Sequence, residues 1–350
     1  MPETIVTDNV ASEEIIVAPE GEARMDNVTF LSMFMPKSLD AFSGQPDAVK
    51  RLKVMIGSAK ARGEVCLPAM LFSGESGTGK TTLARIVATE MDSALTLANG
   101  PTIKNADDLI SIIGSLRKGG TLFIDEIHAM NRKAEEVLYN IMDNPDRKIG
   151  YFAIPEFTLI CATTLPGDLT KPLRNRMNAE INMKPYNDDS MKSVLRFIVD
   201  QVNMDLTDEC IDLLPKRSRY VPRNAVQLIK NIYDYAVTIH GINGEVHCDV
   251  EDVMSACDVF GVDEYGLNDM DRAYLLFIAK RASEGQFSIG LTNISQGTAL
   301  DIKTIVQTVE PYMFRLGLVQ SCKKGRELTL AGIEAVNKMF ADEIYLDINE

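Results

Sequence analysis

Gly74-Glu75-Ser76-Gly77-Thr78-Gly79-Lys80-Thr81 reads G-x-x-x-x-G-K-T, a complete phosphate-binding loop. Backbone N–H groups of such a loop wrap a polyphosphate, and its glycines allow close approach because they carry no Cβ. Gly74, Gly77 and Gly79 are therefore candidate phosphate-binding positions. After the loop, Thr81 and Thr82 enter a segment where Leu83, Ile86, Val87 and Met91 recur at helical spacing. The leading amides of that helix lack intrahelical partners and carry partial positive charge, which suits an anion. Lys80 is expected to reach the β- and γ-phosphates, and the Thr81 hydroxyl to ligate Mg²⁺. Upstream, Pro68-Ala-Met-Leu-Phe-Ser73 has the apolar pattern of a short buried strand.

A second acidic motif lies further along. Thr121-Leu-Phe-Ile124 is another short apolar run, and Asp125-Glu126 follows it. An acid at the C-terminal end of a buried strand can meet the Mg²⁺ water shell beside the phosphates, which assigns Asp125 to the metal. Glu126 is placed to orient and deprotonate an attacking water.

The chain has 350 residues, enough for two or three domains with ordinary cores. A composition of 45% hydrophobic and 25% charged residues reads as globular rather than disordered. No apolar stretch approaches the roughly 20 residues that span a bilayer. The N-terminal region, with Glu3 and Asp8, has neither the basic nor the apolar part of a signal peptide. Cys66, Cys161, Cys210, Cys248, Cys257 and Cys322 show no paired close spacing and read as reduced thiols of a cytoplasmic protein. Three histidines and no Cys/His cluster argue against structural zinc.

The net charge of −14 is unevenly spread. Residues 1–28 and 341–350 together contribute −10 of it, whereas residues 271–340 carry nine bases against six acids. A local basic face matters more to DNA than the global sum. Residues 1–24 are acidic and weakly patterned and read as a disordered tail, with Glu14-Ile-Ile-Val-Ala18 as an alternative edge strand. From about residue 35 to 185, apolar runs at 68–72, 94–98, 121–124 and 157–162 alternate with helical stretches. That alternation predicts a parallel sheet with helices on both faces. Residues 188–260 read as helices, among them 190–203 and 223–239. Helical patterns at 272–282, 291–295 and 301–315 then precede a strand, a Lys-Lys-Gly turn and a second strand over 317–330. Helices followed by a basic hairpin are the pattern of a winged-helix DNA-binding module.

Three further elements narrow the reading of the phosphate-binding site. Phe157-Thr-Leu-Ile-Cys-Ala-Thr163-Thr164 reads as a strand ending in two hydroxyls, either of which suits sensing of the γ-phosphate. Pro172-Leu-Arg174-Asn-Arg176 puts cations at a helix end, from which an arginine can neutralise transition-state charge on a neighbouring subunit's nucleotide. Val221-Pro222-Arg223 opens a helix whose arginine can fold onto the γ-phosphate and report hydrolysis.

Together these residues resemble AAA+ ATPases of the RuvB type, over about residues 35 to 336. The resemblance rests on Pro36 to Gln45, Gly74 to Thr82, Gly100-Pro101, Phe123 to His128, Ala134 to Tyr139, Ala162 to Thr164 and Leu173 to Arg176. Its most discriminating stretch is Glu310-Pro-Tyr-Met-Phe-Arg-Leu-Gly-Leu-Val319 with Lys324-Gly-Arg326. It implies an α/β AAA+ P-loop NTPase with a parallel sheet, a helical lid and a C-terminal winged-helix domain. The expected segments are an acidic tail over 1–24, a nucleotide-binding domain over 25–185, a lid over 186–264, a winged helix over 265–340 and an acidic tail over 341–350.

Function follows from the resemblance as an expectation: an ATP-dependent, Mg²⁺-requiring motor for Holliday-junction branch migration, assembled as a homo-hexamer on double-stranded or junction DNA. Lys80, Asp125, Glu126, Thr164, Arg176 and Arg223 would be catalytic, with Arg176 preferred to Arg174 as the finger. Gly44, Thr82 and Tyr186 would join the loop in holding the nucleotide, and Lys323, Lys324 and Arg326 would touch the DNA backbone. A junction-recognition partner of the RuvA type is also implied, although the segment between Met142 and Pro155 is shorter than the partner-docking hairpin of the family. Met35 stands where the family usually has an arginine. The alternative is an AAA+ clamp-loader or helicase-loader ATPase.

Overall fold

The computed structural model describes residues 7–8, 34–143, 148–149, 152–241, 246–341 and 343–346. Most of the 1–24 tail, half of the 341–350 tail, the proposed strand at 14–18 and part of the short hairpin segment lie outside them. The chain divides into two units, Met1–Val253 and Met254–Glu350.

The first eight strands of the first unit are β1 (Thr7–Asp8), β2 (Met70–Ser73), β3 (Leu95–Asn99), β4 (Gly120–Asp125), β5 (Lys148–Ile149), β6 (Phe152–Ala153), β7 (Phe157–Thr163) and β8 (Ala179–Asn182). Six of them form one sheet in the order β1-β3-β4-β7-β2-β8. All its pairings are parallel except that of β1 with β3. Alternate residues of each central strand point to opposite faces, and both faces are covered. Met70, Phe72, Phe123 and Ile160 pack with Leu52, Ile56, Leu83 and Val87 on one side. Leu71, Leu122, Ile124, Leu159 and Cys161 pack with Leu109, Ile113, Leu138 and Ile141 on the other. Burial on both faces explains why these strands read as unbroken apolar runs.

The parallel arrangement aligns the C-terminal ends of β2, β4 and β7 along one edge. The register pairs Ser73 with Thr163 and Ile124 with Cys161. The phosphate loop, Asp125-Glu126 and Thr163-Thr164 therefore emerge side by side, at the edge where open α/β sheets bind ligands.

Beyond β8 come helices Asp188–Gln201, Asp208–Arg217 and Pro222–His240. Capping fixes their starts: Asn187 accepts from Ser190 N in a capping box, and Thr207 accepts from Cys210 N. This segment is not wholly helical. β9 (Met204–Leu206) and β10 (Val246–Cys248) pair in parallel, with Val246 opposite Met204. Three-residue strands are too short to leave a periodic signal in the sequence. β5 and β6 also pair, antiparallel, as a two-residue ladder.

The second unit begins within the Val250–Val259 helix and continues through helices Asp269–Ser283 and Leu291–Thr298. A helical turn, a π-helical stretch over Ile305–Val309 and the Glu310–Arg315 helix follow, replacing the single helix expected over 301–315. β11 (Val319–Cys322) and β12 (Gly325–Leu328) form the expected antiparallel hairpin, with Lys323 and Lys324 at its turn. Ile289 bridges to Arg326, adding a third short strand element, and the Leu330–Met339 helix closes the unit.

Candidate active site

The phosphate loop leaves β2 and enters the Lys80–Glu90 helix through Gly79, whose φ is +102°. No side chain caps that helix, so its leading amides are available to a ligand. The glycines are required by space as well as by conformation. A Cβ on Gly77 (φ +77°) would lie 2.5 Å from Val221 Cγ1, and one on Gly79 would lie 2.9 Å from Phe42 Cζ. Lys80 is buried, and its ammonium donates to the carbonyls of Gly74 (2.8 Å) and Glu75 (2.9 Å). Burial pushes this lysine below its usual range, with Asp125 and Glu126 opposing that shift.

Around the loop lies a cavity of about 420 Å³. Lys80, Thr81 and Thr82 line it from the helix, Asp125 and Glu126 from the end of β4, and Pro222 and Arg223 from the start of the Pro222–His240 helix. Its apolar end is made by Phe34, Met35, Phe42, Tyr186, Phe197 and Ile198. Tyr186 is buried, donates to the Thr78 carbonyl at 3.1 Å, and is pushed by burial to a pKa of about 12.

At the end of β4 the backbone of Glu126 adopts a left-handed conformation, φ +46°. Its carboxylate accepts from Thr164 Oγ1 at 3.0 Å and from Thr164 N at 3.4 Å. His128 Nδ1 lies 3.2 Å from the same carboxylate and 3.0 Å from Thr163 Oγ1. Thr163 is fully buried, so of the two hydroxyls left open by the sequence Thr164 faces Glu126 and Thr163 faces His128. Gly100 packs against the strained turn: a Cβ there would lie 2.4 Å from the Glu126 carbonyl oxygen. Neither His128 nor Gly100 carried a functional signal in its residue type alone; only their places in quoted motifs pointed to them.

Two positions differ from expectation. Gly44, expected to touch nucleotide, is packed instead against Tyr186, where a Cβ would fall 2.2 Å from Cε1, and it does not line the cavity. Its φ of +89° is a left-handed turn, and its missing Cβ leaves room for the Tyr186 ring. Arg326, expected to reach for DNA, is turned inward. Its Nε and Nη2 donate to the Glu310 carboxylate at 2.7 and 3.0 Å, and Nη1 donates to Ser321 Oγ at 3.2 Å. Glu310 is buried and also accepts from Tyr274 Oη at 3.0 Å, so an unpaired carboxylate there would be costly. Lys323 and Lys324 are exposed.

The helix Lys171–Arg176 ends in the two arginines. Arg174 pairs with Glu180 at 3.0 Å. Arg176 makes a bidentate pair with Asp143, donates from Nη1 to the Pro172 carbonyl at 3.0 Å, and stacks on Tyr139 with its guanidinium carbon 4.6 Å from the ring centre. Arg223 is exposed at the mouth of the cavity. Just before it, Arg219 and Tyr220 both hold left-handed backbone angles, φ +58° and +57°, which the sequence did not announce.

A parallel five-strand core with a phosphate loop, an acidic pair and a threonine pair at one edge, joined in sequence to a winged helix, defines a P-loop ATPase of the AAA+ class. Residues 34–183 match the family described as Holliday junction DNA helicase RuvB P-loop domain, and residues 264–337 match the RuvB C-terminal winged helix domain. The chain belongs to the RuvB family. It is 36% identical over 315 residues to the Holliday junction branch migration complex subunit RuvB of Corynebacterium aurimucosum, covering 86% of this chain and 85% of that one. The corresponding subunit of Rubrobacter xylanophilus is 35% identical over 304 residues, covering 84% of each chain. Among solved structures, the Thermotoga maritima RuvB Holliday junction branch migration motor superposes with a TM-score of 0.76 at 31% identity, over 89% of this chain and 99% of that one.

Proposed function

We propose that this protein hydrolyses ATP to drive branch migration of Holliday junctions. The observation that carries the reading is the joining, in one chain of RuvB type, of a complete phosphate-loop site to a winged helix with a basic turn. The winged helix also speaks against the loader alternative, since clamp loaders normally end in a helical collar.

The residues present fit a Mg²⁺-nucleotide. Uncapped amides, a glycine cradle and a buried ammonium converge on one cavity, with the Thr81 hydroxyl and the Asp125 carboxylate on its wall. These last two would hold Mg²⁺, which would supply positive charge against the negative charge of the phosphates. Lys80, now held by two loop carbonyls, exchanges them for phosphate oxygens when nucleotide enters. Phe34, Phe42 and Tyr186 supply the apolar end suited to a purine base. Thr164 fixes the Glu126 carboxylate, which orients a water and takes its proton. Arg223 senses the terminal phosphate, and Arg176 serves the site of the next subunit.

The remaining assignments belong to the same proposal. The subunits form a homo-hexamer, the lid extends over 186–264 and the winged helix over 265–340. Lys323 and Lys324 hold duplex phosphates, and a RuvA-type partner docks on the β5–β6 segment. All six cysteines stand outside disulfides, which agrees with a cytoplasmic location. The test is a migration assay with purified protein, ATP, Mg²⁺ and a synthetic junction, with and without a RuvA-type partner. ATP-dependent movement of the branch point is expected. DNA-stimulated hydrolysis without any movement, in both conditions, would overturn the motor reading in favour of a loader.

A further inference from the structure

The helix Arg132–Asp143 packs on the sheet through Ala134, Leu138 and Ile141, yet it also buries an acid, Glu135. A carboxylate in that position is costly unless its oxygens are satisfied. Here one oxygen, Oε1, accepts from both the Tyr139 and the Thr170 hydroxyls. Each hydroxyl has a single proton, so both donors are committed to the carboxylate, and the two oxygens stand 2.7 Å apart around it.

Each partner leads to the same place. Thr170 is the N-cap of the Lys171–Arg176 helix and accepts from Leu173 N at 3.3 Å. Tyr139 carries the Arg176 guanidinium on its ring face. The short helix is therefore held at its start by one hydroxyl, and the arginine at its end rests on the ring bearing the other. Burial and the Glu135 carboxylate together push the Tyr139 phenol up to about 12, so it stays a donor across the working range of pH.

We propose that Glu135 is a positioning residue for Arg176: it fixes the helix that presents this arginine and the ring that supports it, and so sets the reach of the guanidinium into the adjoining subunit's site. The inference rests on the reading of Arg176 as a residue acting in trans. Nothing about Glu135 touches the nucleotide cavity of its own subunit, which lies at Lys80, Asp125 and Glu126.

The experiment measures steady-state ATP hydrolysis and nucleotide affinity of full-length protein with junction DNA, for wild type, Glu135→Ala, Glu135→Gln and Arg176→Ala. A misplacement of about 1 Å costs on the order of 100-fold in rate, so Glu135→Ala is expected to lose roughly that factor in kcat while nucleotide Kd stays within about twofold. Glu135→Gln keeps an oxygen that can accept both hydroxyls and is expected to recover most of the rate. The decisive arm mixes Glu135→Ala with Glu126→Gln subunits. The latter cannot hydrolyse ATP but present an intact Arg176, so the mixture is expected to turn over faster than either variant alone. Absence of that rescue would make Glu135 a general structural residue and overturn the proposal. Wild-type kcat in Glu135→Ala, with Arg176→Ala inactive, would overturn it while leaving the trans arginine standing. Wild-type kcat in Arg176→Ala would remove the trans arginine itself, and the proposal with it.

Discussion

Thr164 and Glu126 are 38 residues apart in sequence and meet through a 3.0 Å hydrogen bond from the threonine hydroxyl to the carboxylate. The contact exists because β4 and β7 run parallel and adjacent, so their C-terminal ends share one edge. A hydrogen bond to a charged group contributes about 1.5–3 kcal/mol. Thr164→Val is therefore expected to lower kcat by roughly 10- to 100-fold and leave nucleotide affinity nearly intact. Steady-state hydrolysis with parallel binding measurements checks this, and an unchanged kcat would remove Thr164 from the site.

Gly100 packs against the backbone of the same glutamate. Its missing Cβ leaves the space that the Glu126 carbonyl occupies. Overpacking of this kind costs about 1–3 kcal/mol. Gly100→Ala is expected to lower thermal stability by that order and also to reduce turnover, because the left-handed turn at Glu126 must shift. A variant with lower Tm and wild-type kcat would show that the turn absorbs the methyl without moving the carboxylate.

The wing separates two kinds of basic residue. Arg326→Ala leaves Glu310 buried beside a single hydroxyl, and loss of one partner of such a pair costs about 3 kcal/mol or more. The expected result is a large drop in Tm. Lys323→Ala and Lys324→Ala are expected to leave Tm unchanged, weaken duplex binding for every sequence, and reduce the salt dependence by about one counterion each. Equal Tm for Arg326→Ala and wild type would contradict the structural reading of the pair.

Lys80 gives a pH signature. Its folded pKa is depressed by burial, so between that value and the ordinary lysine value the unfolded chain binds the extra proton. Stability of the nucleotide-free protein then rises with pH through that window, and the penalty is fully present below it. Relative to Lys80→Met, the wild type is expected to gain stability as pH climbs towards 10.5, the ordinary lysine value. Denaturant unfolding of both proteins across that range, without nucleotide, reads the difference; a difference that is flat or falls with pH would contradict the shift.

Much of the site could be read from the chain because its signals are local. Gly74 to Thr81 is a contiguous loop, and Asp125-Glu126 and Thr163-Thr164 each terminate a buried apolar strand. Parallel pairing brings strand ends together without further information. The residues that escaped are those whose role depends on a distant partner. Arg326 looks like any wing cation until Glu310 is found beneath it, and Gly44 looks like a nucleotide contact until Tyr186 is seen against it. The strands β9 and β10 were missed for a related reason, since three residues paired across some forty carry no periodic trace. The β8 strand, at Ala179–Asn182, is likewise too short, and too broken by Glu180 and Asn182, to stand out.

Gly77 sits so close to Val221 that not even a methyl group fits between them. Val221 is the residue that leads into Pro222 and Arg223. The joint has no slack: a displacement of the loop by a fraction of an ångström meets the root of the long helix at once, as one gear tooth meets the next without backlash. Under the proposed function, a shift of the loop at the phosphates would thus reach the helix as a push through Val221.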